Sequence, residues 1–182
     1  FKAKSKLFKE LIVVKEKQIP KRAIVNIDDE WGRLIAEECS AAVWTYSIHE
    51  SSDIQARDIC LSIDGIQFTA VIPTGSFFIH SPLVGKHNVY NVLAAIGVGL
   101  AAGLSVETIQ QTIATFHAVP GRFELINMGQ SFRVVVDYAH TEDALAHLLA
   151  TARTLRCGRI LTVFGCGGNR DRAKRPKMGG VA

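Results

Sequence analysis

The order of apolar and polar positions along the chain predicts a mixed α/β protein. Apolar residues spaced three or four positions apart predict helices, whereas alternating or short continuous apolar runs predict strands. The predicted helices cover residues 1–11, 31–39, 87–103, 105–116 and 141–155. The predicted strands cover residues 23–28, 42–48, 53–62, 66–72, 77–80, 123–128, 132–137 and 159–164. Ser105 is expected to cap the helix that ends at Phe116, because a serine hydroxyl accepts a hydrogen bond from the first helical turn.

Two turn signals divide this series of elements. Asp64-Gly65 lies between two β-prone runs and predicts a hairpin. Gly129-Gln130 separates two more, and we place a domain boundary there, between residues 1–128 and 129–182. After that boundary, a strand, a helix, a strand and the glycine-rich loop 165–168 follow in the order typical of a parallel α/β sheet.

Composition and charge narrow the class of protein. The 182 residues are 48% hydrophobic and 21% charged, which is typical of a soluble globular protein. The four cysteines are widely and irregularly spaced, so they predict neither a disulfide framework nor a zinc site, and a reducing cytoplasmic compartment fits them.

The apolar stretch Val89–Leu104 carries polar and glycine interruptions and predicts a buried helix rather than a membrane span. The net charge of +4 comes from basic groups near both ends, for which nucleic acid and a small anionic substrate are alternative partners.

Two short motifs contain residues that suit a phosphorylated ligand. Arg122 follows Pro120-Gly121, and a guanidinium in such a loop can donate two parallel hydrogen bonds to phosphate oxygens. A surface turn with a solvated arginine is the alternative. Asp137 ends an apolar strand, a place where open α/β sheets bind ligands, and it could bind ribose hydroxyls. Asp137 and Thr141 could equally serve only to form the turn and cap the next helix.

Two further motifs are also ambiguous by themselves. Asn88 and Asn91 lie three positions apart at the start of a predicted helix, so that they share a face, and two carboxamides can read the edge of a base. Capping and burial in the core are the alternatives for this pair. The loop 165–168 permits close backbone approach to an anion, and Arg170 adds a positive charge, but a structural turn explains such a loop equally well.

The four motifs together, in this order, resemble the signature blocks of the Mur ligase family. The blocks are Gly-Lys-His-Asn-Val-Tyr-Asn, Val-Pro-Gly-Arg-Phe-Glu, Val-Asp-Tyr-Ala-His-Thr and Gly-Cys-Gly-Gly-Asn-Arg-Asp. The last two are most similar to the MurE branch, which adds the third amino acid to UDP-N-acetylmuramoyl-dipeptide. The resemblance extends from Lys4 to the last residue. It implies the second half of a P-loop-type ATPase domain followed by the start of a Rossmann-like C-terminal domain.

The resemblance also implies a role for each matching residue. Lys4 matches a lysine that becomes carbamylated and helps to hold Mg²⁺, and Arg122 matches the arginine that reaches the ATP phosphates. Asn88 and Asn91 match the pair at the adenine. Asp137 matches the aspartate near the ribose, with His140 beside it, and Arg170 matches an arginine that grips a carboxylate of the incoming amino acid.

The implied activity is formation of an amide through an acyl phosphate, with ATP and Mg²⁺ as cofactors. Diaminopimelate is the expected third amino acid, in preference to L-lysine. The expected protein is a cytoplasmic monomer that acts on small molecules, without nucleic acid or membrane partners, and closes its domains at a hinge near Gly129.

The chain is expected to be an inactive fragment, because no Gly-Lys-Thr/Ser loop, no UDP-binding domain and no continuation of the C-terminal domain are present in it. Folylpolyglutamate synthase and a non-catalytic binding module remain as alternatives.

Overall fold

The computed structural model describes residues 2–9, 21–117, 119–155, 158–168 and 171–182, without the side chains of Lys2 and Lys4. The described chain forms two compact units, residues 1–116 and 117–182. Each unit has its own hydrophobic core. None of the helices in the described ranges has the length and apolar character needed to cross a membrane.

The first unit is a five-stranded mixed sheet with helices packed on it. Its elements, in chain order, are α1 (Lys2–Lys9), β1 (Arg22–Asn26), α2 (Glu30–Glu38), β2 (Ala42–Ser47), β3 (Ile54–Ser62), β4 (Gly65–Ile72), β5 (Gly75–Ser81), α3 (Lys86–Ala101) and α4 (Val106–Thr115). The strands lie in the order β1-β2-β3-β4-β5. β1, β2 and β3 pair in parallel, whereas β3, β4 and β5 form an antiparallel meander.

The core of the first unit lies between this sheet and α3. Alternate residues of β4 point inward, and Ile66, Phe68 and Ala70 are almost completely buried. They pack in one cluster with Leu93 and Ile96 of α3. Because α3 contacts β1, β2 and β3, this packing sets the position of the first turn of the helix relative to the ends of the parallel strands.

The second unit contains β6 (Glu124–Ile126), β7 (Val134–Val136), α5 (Glu142–Thr154) and α6 (Lys174–Val181). β6 and β7 form an antiparallel pair, and Leu125 lies opposite Val135. The two helices pack on each other around Leu145, Leu149 and Met178.

Most predicted elements form, and the mixed α/β class is confirmed. Ser105 accepts a hydrogen bond from Thr108 N at 3.2 Å, as predicted for a cap of α4. The hairpin between β3 and β4 forms with a turn at Ile63-Asp64, because Gly65 already pairs with Ser62.

The predicted strand at 159–164 was wrong. These residues have no regular secondary structure, and Leu161 and Val163 are 74% and 98% exposed. A strand requires a neighbouring strand for its backbone hydrogen bonds, and among the described residues β7 pairs with β6 alone. The sheet of the second unit is therefore antiparallel, although the strand–helix–strand order predicted a parallel one.

The predicted domain boundary at 128/129 stays a prediction. Gly129, the expected hinge, lies between β6 and β7 with a φ of 85°. The backbone pairing of these two strands spans it.

Candidate functional site

Polar groups converge where the parallel strands β1 and β2 end. Asp28 follows β1, and Ser47 is the last residue of β2. Ser47 Oγ donates a hydrogen bond to Asp28 Oδ1 at 2.6 Å, and the backbone N–H of Ile48 donates to Asp28 Oδ2 at 2.8 Å. The carboxyl ends of parallel strands are the usual place for ligands in α/β sheets, so this edge is a candidate site.

Tyr90 connects α3 to the same carboxylate. Its hydroxyl donates a hydrogen bond to Asp28 Oδ2 at 3.0 Å. Burial by itself raises the pKa of the Asp28 carboxyl, but the hydrogen bonds from Ser47, Ile48 and Tyr90 outweigh it and hold the pKa below its ordinary value. Burial and the adjacent Asp28 raise the pKa of Tyr90. At neutral pH the pair therefore consists of an ionised acceptor and a protonated donor.

Asn88 and Asn91 lie on one face of α3, as the sequence predicted. Asn88 Nδ2 donates to the carbonyl of Val84 at 2.8 Å, and Asn91 Nδ2 donates to Asn88 Oδ1 at 2.9 Å. Asn88 is half-buried and Asn91 is exposed. Among the described residues, Asn91 Oδ1 and one N–H of each carboxamide have no partner. The pair thus offers an acceptor next to donors, which is the pattern that a base edge requires.

In the second unit, Arg122 sits in a turn whose backbone is hydrogen-bonded on both sides. The N–H of Gly121 donates to Glu124 Oε2 at 2.7 Å, and the N–H of Arg122 donates to the carbonyl of Val119 at 3.0 Å. Arg122 itself is exposed. Within the described chain no carbonyl or carboxylate accepts a hydrogen bond from its guanidinium, which leaves the planar donors available for an anion.

Asp137 lies at the end of β7 and contacts the Arg122 turn. Its Oδ2 accepts a hydrogen bond from the N–H of Phe123 at 2.8 Å, and its Oδ1 accepts one from the N–H of Ala139 at 2.8 Å. The N–H of Tyr138 donates to the carbonyl of Gly121 at 2.8 Å. Arg122 and Asp137 are therefore brought together by the structure, although 14 positions separate Phe123 from Asp137 along the chain.

His140 adjoins this group and begins the approach to α5. Its Nδ1 lies 3.0 Å from the carbonyl of Tyr138, and because a carbonyl can only accept, Nδ1 carries the proton. The Tyr138 and His140 rings lie 4.9 Å apart. Lys174 Nζ donates to the carbonyl of His140 at 3.2 Å, and Thr141 caps α5 through Ala144 N.

Two predicted site residues lie outside what the structure describes. Arg170 is not among the described residues, and of Lys4 the backbone alone is described, within α1. The ion pair of Lys9 with Glu38 at 3.1 Å attaches α1 to α2, and a hydrogen bond from Ser40 Oγ to the carbonyl of Lys9 at 3.0 Å attaches α1 to the segment that follows α2. Within the described ranges, no group of three histidine, cysteine, aspartate or glutamate residues could hold a metal ion.

Asp28, Tyr90 and Glu124 are site residues that the motifs did not predict. Asp28 had a usable signal, because it is the acidic last residue of a predicted strand. Tyr90 and Glu124 belong to the motifs that contain Asn88 and Arg122. Their roles depend on partners that no local pattern reveals.

Comparisons with known proteins agree on one family over both units. The profile of the Mur ligase middle domain matches residues 1–99, and that of the Mur ligase glutamate ligase domain matches residues 121–182. The UDP-N-acetylmuramoyl-L-alanyl-D-glutamate–2,6-diaminopimelate ligase of Geobacter metallireducens is 43% identical over 182 residues, which is 100% of this chain and 36% of that protein. The ligase of the same name from Bacillus velezensis is 44% identical over 180 residues, or 99% of this chain and 37% of that protein. The chain thus spans little more than a third of the length of these relatives.

Solved structures give the same result. A UDP-N-acetylmuramoyl-L-alanyl-D-glutamate–2,6-diaminopimelate ligase superposes with a TM-score of 0.73 at 34% identity, covering 100% of this chain and 37% of that one. MurF from Acinetobacter baumannii has a TM-score of 0.69 at 27% identity, covering 82% of this chain and 32% of its own. The folylpolyglutamate synthetase of Lactobacillus casei has a TM-score of 0.65 at 19% identity, covering 88% of this chain and 41% of that one, and shares the fold.

Proposed function

The chain belongs to the Mur ligase family, and we propose that its parent protein is an ATP-dependent ligase. Its reaction adds meso-diaminopimelate to UDP-N-acetylmuramoyl-L-alanyl-D-glutamate in peptidoglycan synthesis. The observation that carries this proposal is the 43% identity, over the whole chain, with a ligase named for those substrates. The parent is a cytoplasmic monomer that serves cell-wall biogenesis and, through it, cell shape and division.

The proposed reaction has two steps. In the first, a carboxylate oxygen of the UDP-linked dipeptide attacks the γ-phosphorus of ATP, and the bond to the β-phosphate oxygen breaks to release ADP. In the second, the amine of diaminopimelate attacks the carbonyl carbon of the acyl phosphate. A tetrahedral intermediate then expels phosphate and leaves the amide. Positioning of the reactants and neutralisation of phosphate charge are the main contributions of a protein to such phosphoryl transfer.

Asn88 and Asn91 are the proposed adenine contacts. Two observations support this role. The two side chains share a helix face, and after their mutual hydrogen bond is formed the pair still has an acceptor and donors without partners among the described residues. The hydrogen bond of Asn88 to the Val84 carbonyl fixes the orientation of the pair, so that little side-chain freedom is lost when the base binds.

Arg122, Asp137 and His140 are the proposed contacts to the rest of the nucleotide. The exposed guanidinium of Arg122 suits the phosphates. Asp137 has acceptor capacity beyond its two backbone hydrogen bonds, since a carboxylate offers about four lone-pair sites, and it can accept from a ribose hydroxyl. The hydrogen bond between His140 Nδ1 and the Tyr138 carbonyl orients the imidazole ring.

Arg170 and Lys4 are the proposed contacts to the incoming amino acid and to Mg²⁺. Arg170 binds a carboxylate of the incoming amino acid. Lys4, as its carbamate, would help to hold Mg²⁺, which neutralises phosphate charge when it is bound. Carbamylation turns a cationic amine into an anionic oxygen donor, the kind of ligand that Mg²⁺ accepts beside phosphate oxygens and water.

The test is phosphate release by the full-length parent with ATP, Mg²⁺ and UDP-N-acetylmuramoyl-L-alanyl-D-glutamate. We expect release that depends on meso-diaminopimelate and is not supported by L-lysine. Release with L-lysine alone would contradict the assigned amino acid, and no stimulation by either would contradict the ligase step itself.

A further inference from the structure

The turn that carries Arg122 is closed by a glutamate within the same motif. Glu124 Oε2 accepts a hydrogen bond from the N–H of Gly121 at 2.7 Å, three residues back along the chain. The N–H of Arg122 donates in turn to the carbonyl of Val119 at 3.0 Å. The backbone N–H groups of Gly121 and Arg122 are therefore both hydrogen-bonded.

A second carboxylate holds the other side of the turn. Glu124 pairs with Val136 in the β6–β7 ladder, and Phe123 lies one step beyond this pair. The carboxylate of Asp137 accepts a hydrogen bond from the Phe123 N–H at 2.8 Å. Arg122 thus lies between Gly121, whose N–H donates to Glu124, and Phe123, whose N–H donates to Asp137.

The backbone of the turn has positive φ angles, and the one at Phe123 requires support from its surroundings. Gly121 has a φ of 71° and Phe123 a φ of 46°. A positive φ is uncommon for a bulky side chain, and it is retained where the surroundings over-determine it. Phe123 is 4% exposed, so its buried ring fixes one end of the strained segment while Glu124 fixes the other.

The two carboxylates bind backbone amides and leave the arginine unpaired. In the described chain neither Glu124 nor Asp137 forms an ion pair with Arg122, which is exposed. We propose that Glu124 is a positioning residue for the ligase reaction: it fixes the Gly121–Phe123 backbone so that the Arg122 guanidinium is aimed at the ATP phosphates before ATP binds. This inference rests on the proposed function and adds to it a residue that does not itself touch substrate.

The charge of Glu124 distinguishes positioning from a direct electrostatic role. A carboxylate near the polyphosphate of ATP repels it, so that removal of the charge alone should not weaken ATP use. Removal of the acceptor oxygen should weaken it, because the arginine is then no longer held in one geometry. Glu124→Gln keeps an acceptor oxygen without the charge, whereas Glu124→Ala removes both.

The experiment uses the full-length parent and measures kcat and KM for ATP, with Glu37→Ala, an exposed carboxylate on α2, as the matched control. We expect Glu124→Ala to lower kcat/KM for ATP about tenfold to a hundredfold. Glu124→Gln and Glu37→Ala should stay within about twofold of the wild type. An equal loss in Glu124→Gln, or no loss in Glu124→Ala, would overturn the proposal. Thermal unfolding of each variant identifies a loss that is due to misfolding.

A double-variant cycle with Arg122→Ala separates positioning from general stabilisation. If Glu124 acts through Arg122, then Glu124→Ala costs nothing further in kcat/KM once Arg122 has become alanine. The same fold-loss in both backgrounds would show a merely structural role and would overturn the inference. If instead the wild-type parent fails to release phosphate with diaminopimelate, the proposed function has failed, independently of Glu124.

Discussion

At the scale of single residues, Asp28 joins three segments that are far apart in the chain. It accepts hydrogen bonds from the Ser47 hydroxyl at the end of β2, from the backbone N–H of Ile48 and from the Tyr90 hydroxyl in α3. Its carboxylate therefore holds the N-terminal part of α3, which carries Asn88 and Asn91, close to the ends of the parallel strands. A neutral side chain at position 28 cannot accept from all of these donors.

The lowered pKa of Asp28 predicts how stability depends on pH. A carboxylate whose folded pKa lies below its ordinary value of 3.8 stabilises the protein above that pH, and the contribution is lost as the pH falls through the folded pKa. We expect Asp28→Asn to unfold about 1–2 kcal/mol more easily at pH 7, and the difference from the wild type to shrink below about pH 4. Urea unfolding of the 182-residue chain between pH 3 and pH 7 measures this.

The control for Asp28 is Glu37→Gln, which removes an exposed carboxylate of the same unit. Its difference from the wild type should be small at every pH in that range. A difference between Asp28→Asn and the wild type that stays constant down to pH 3 would contradict the assigned role of the Asp28 charge.

At the scale of elements, α2 lies unusually close to the end of β1. A Cβ on Gly32 would overlap the backbone carbonyl of Asn26. The side chain of Asp29 caps the helix through Trp31 N at 2.9 Å and Gly32 N at 3.1 Å, so the start of α2 cannot move away freely. The absence of a side chain at residue 32 therefore sets how closely this helix packs on the sheet.

This close approach predicts opposite effects for two glycine-to-alanine changes. Gly32→Ala should destabilise the chain by about 1–3 kcal/mol, because β1 and α2 must separate. Gly179→Ala in α6, where a Cβ would meet no atom within 4 Å, should stabilise it by up to about 1 kcal/mol through helix propensity. Thermal unfolding of both variants tests the pair, and a stabilising Gly32→Ala would show that α2 can adjust.

At the scale of the whole molecule, the chain consists of two units, and each contains some of the residues proposed to contact ligand. Asn88 and Asn91 belong to the first, and Arg122, Asp137 and His140 belong to the second. The hydrogen bonds that orient these residues lie within their own units. Each unit therefore pre-organises its own side chains.

The sequence of the 182-residue chain predicts that the chain cannot turn over ATP by itself. It contains no Gly-Lys-Thr/Ser sequence, the loop whose backbone amides and lysine hold the phosphates in P-loop enzymes. We expect no ADP release above background from the isolated chain under conditions in which the full-length parent is active. ADP release at a rate comparable with that of the parent would contradict this.

The sequence by itself determined the elements whose causes are local and the motifs that identify the family. The apolar helix α3 and the Ser105 cap of α4 follow from spacing and residue type over a few neighbouring positions. The same short-range patterns placed Asn88 with Asn91 on one helical face. They also placed Arg122 in a turn.

Only the tertiary structure decided which partners those residues have. Tyr90 and Asp28 are 62 positions apart, and no spacing rule predicts their hydrogen bond. The residues at 159–164 have the composition of a strand but no neighbouring strand among the described residues, and the formation of a strand depends on that neighbour rather than on its own sequence. Asp137 holds the Phe123 amide because the β6–β7 register brings them together, and register is a property of the folded sheet.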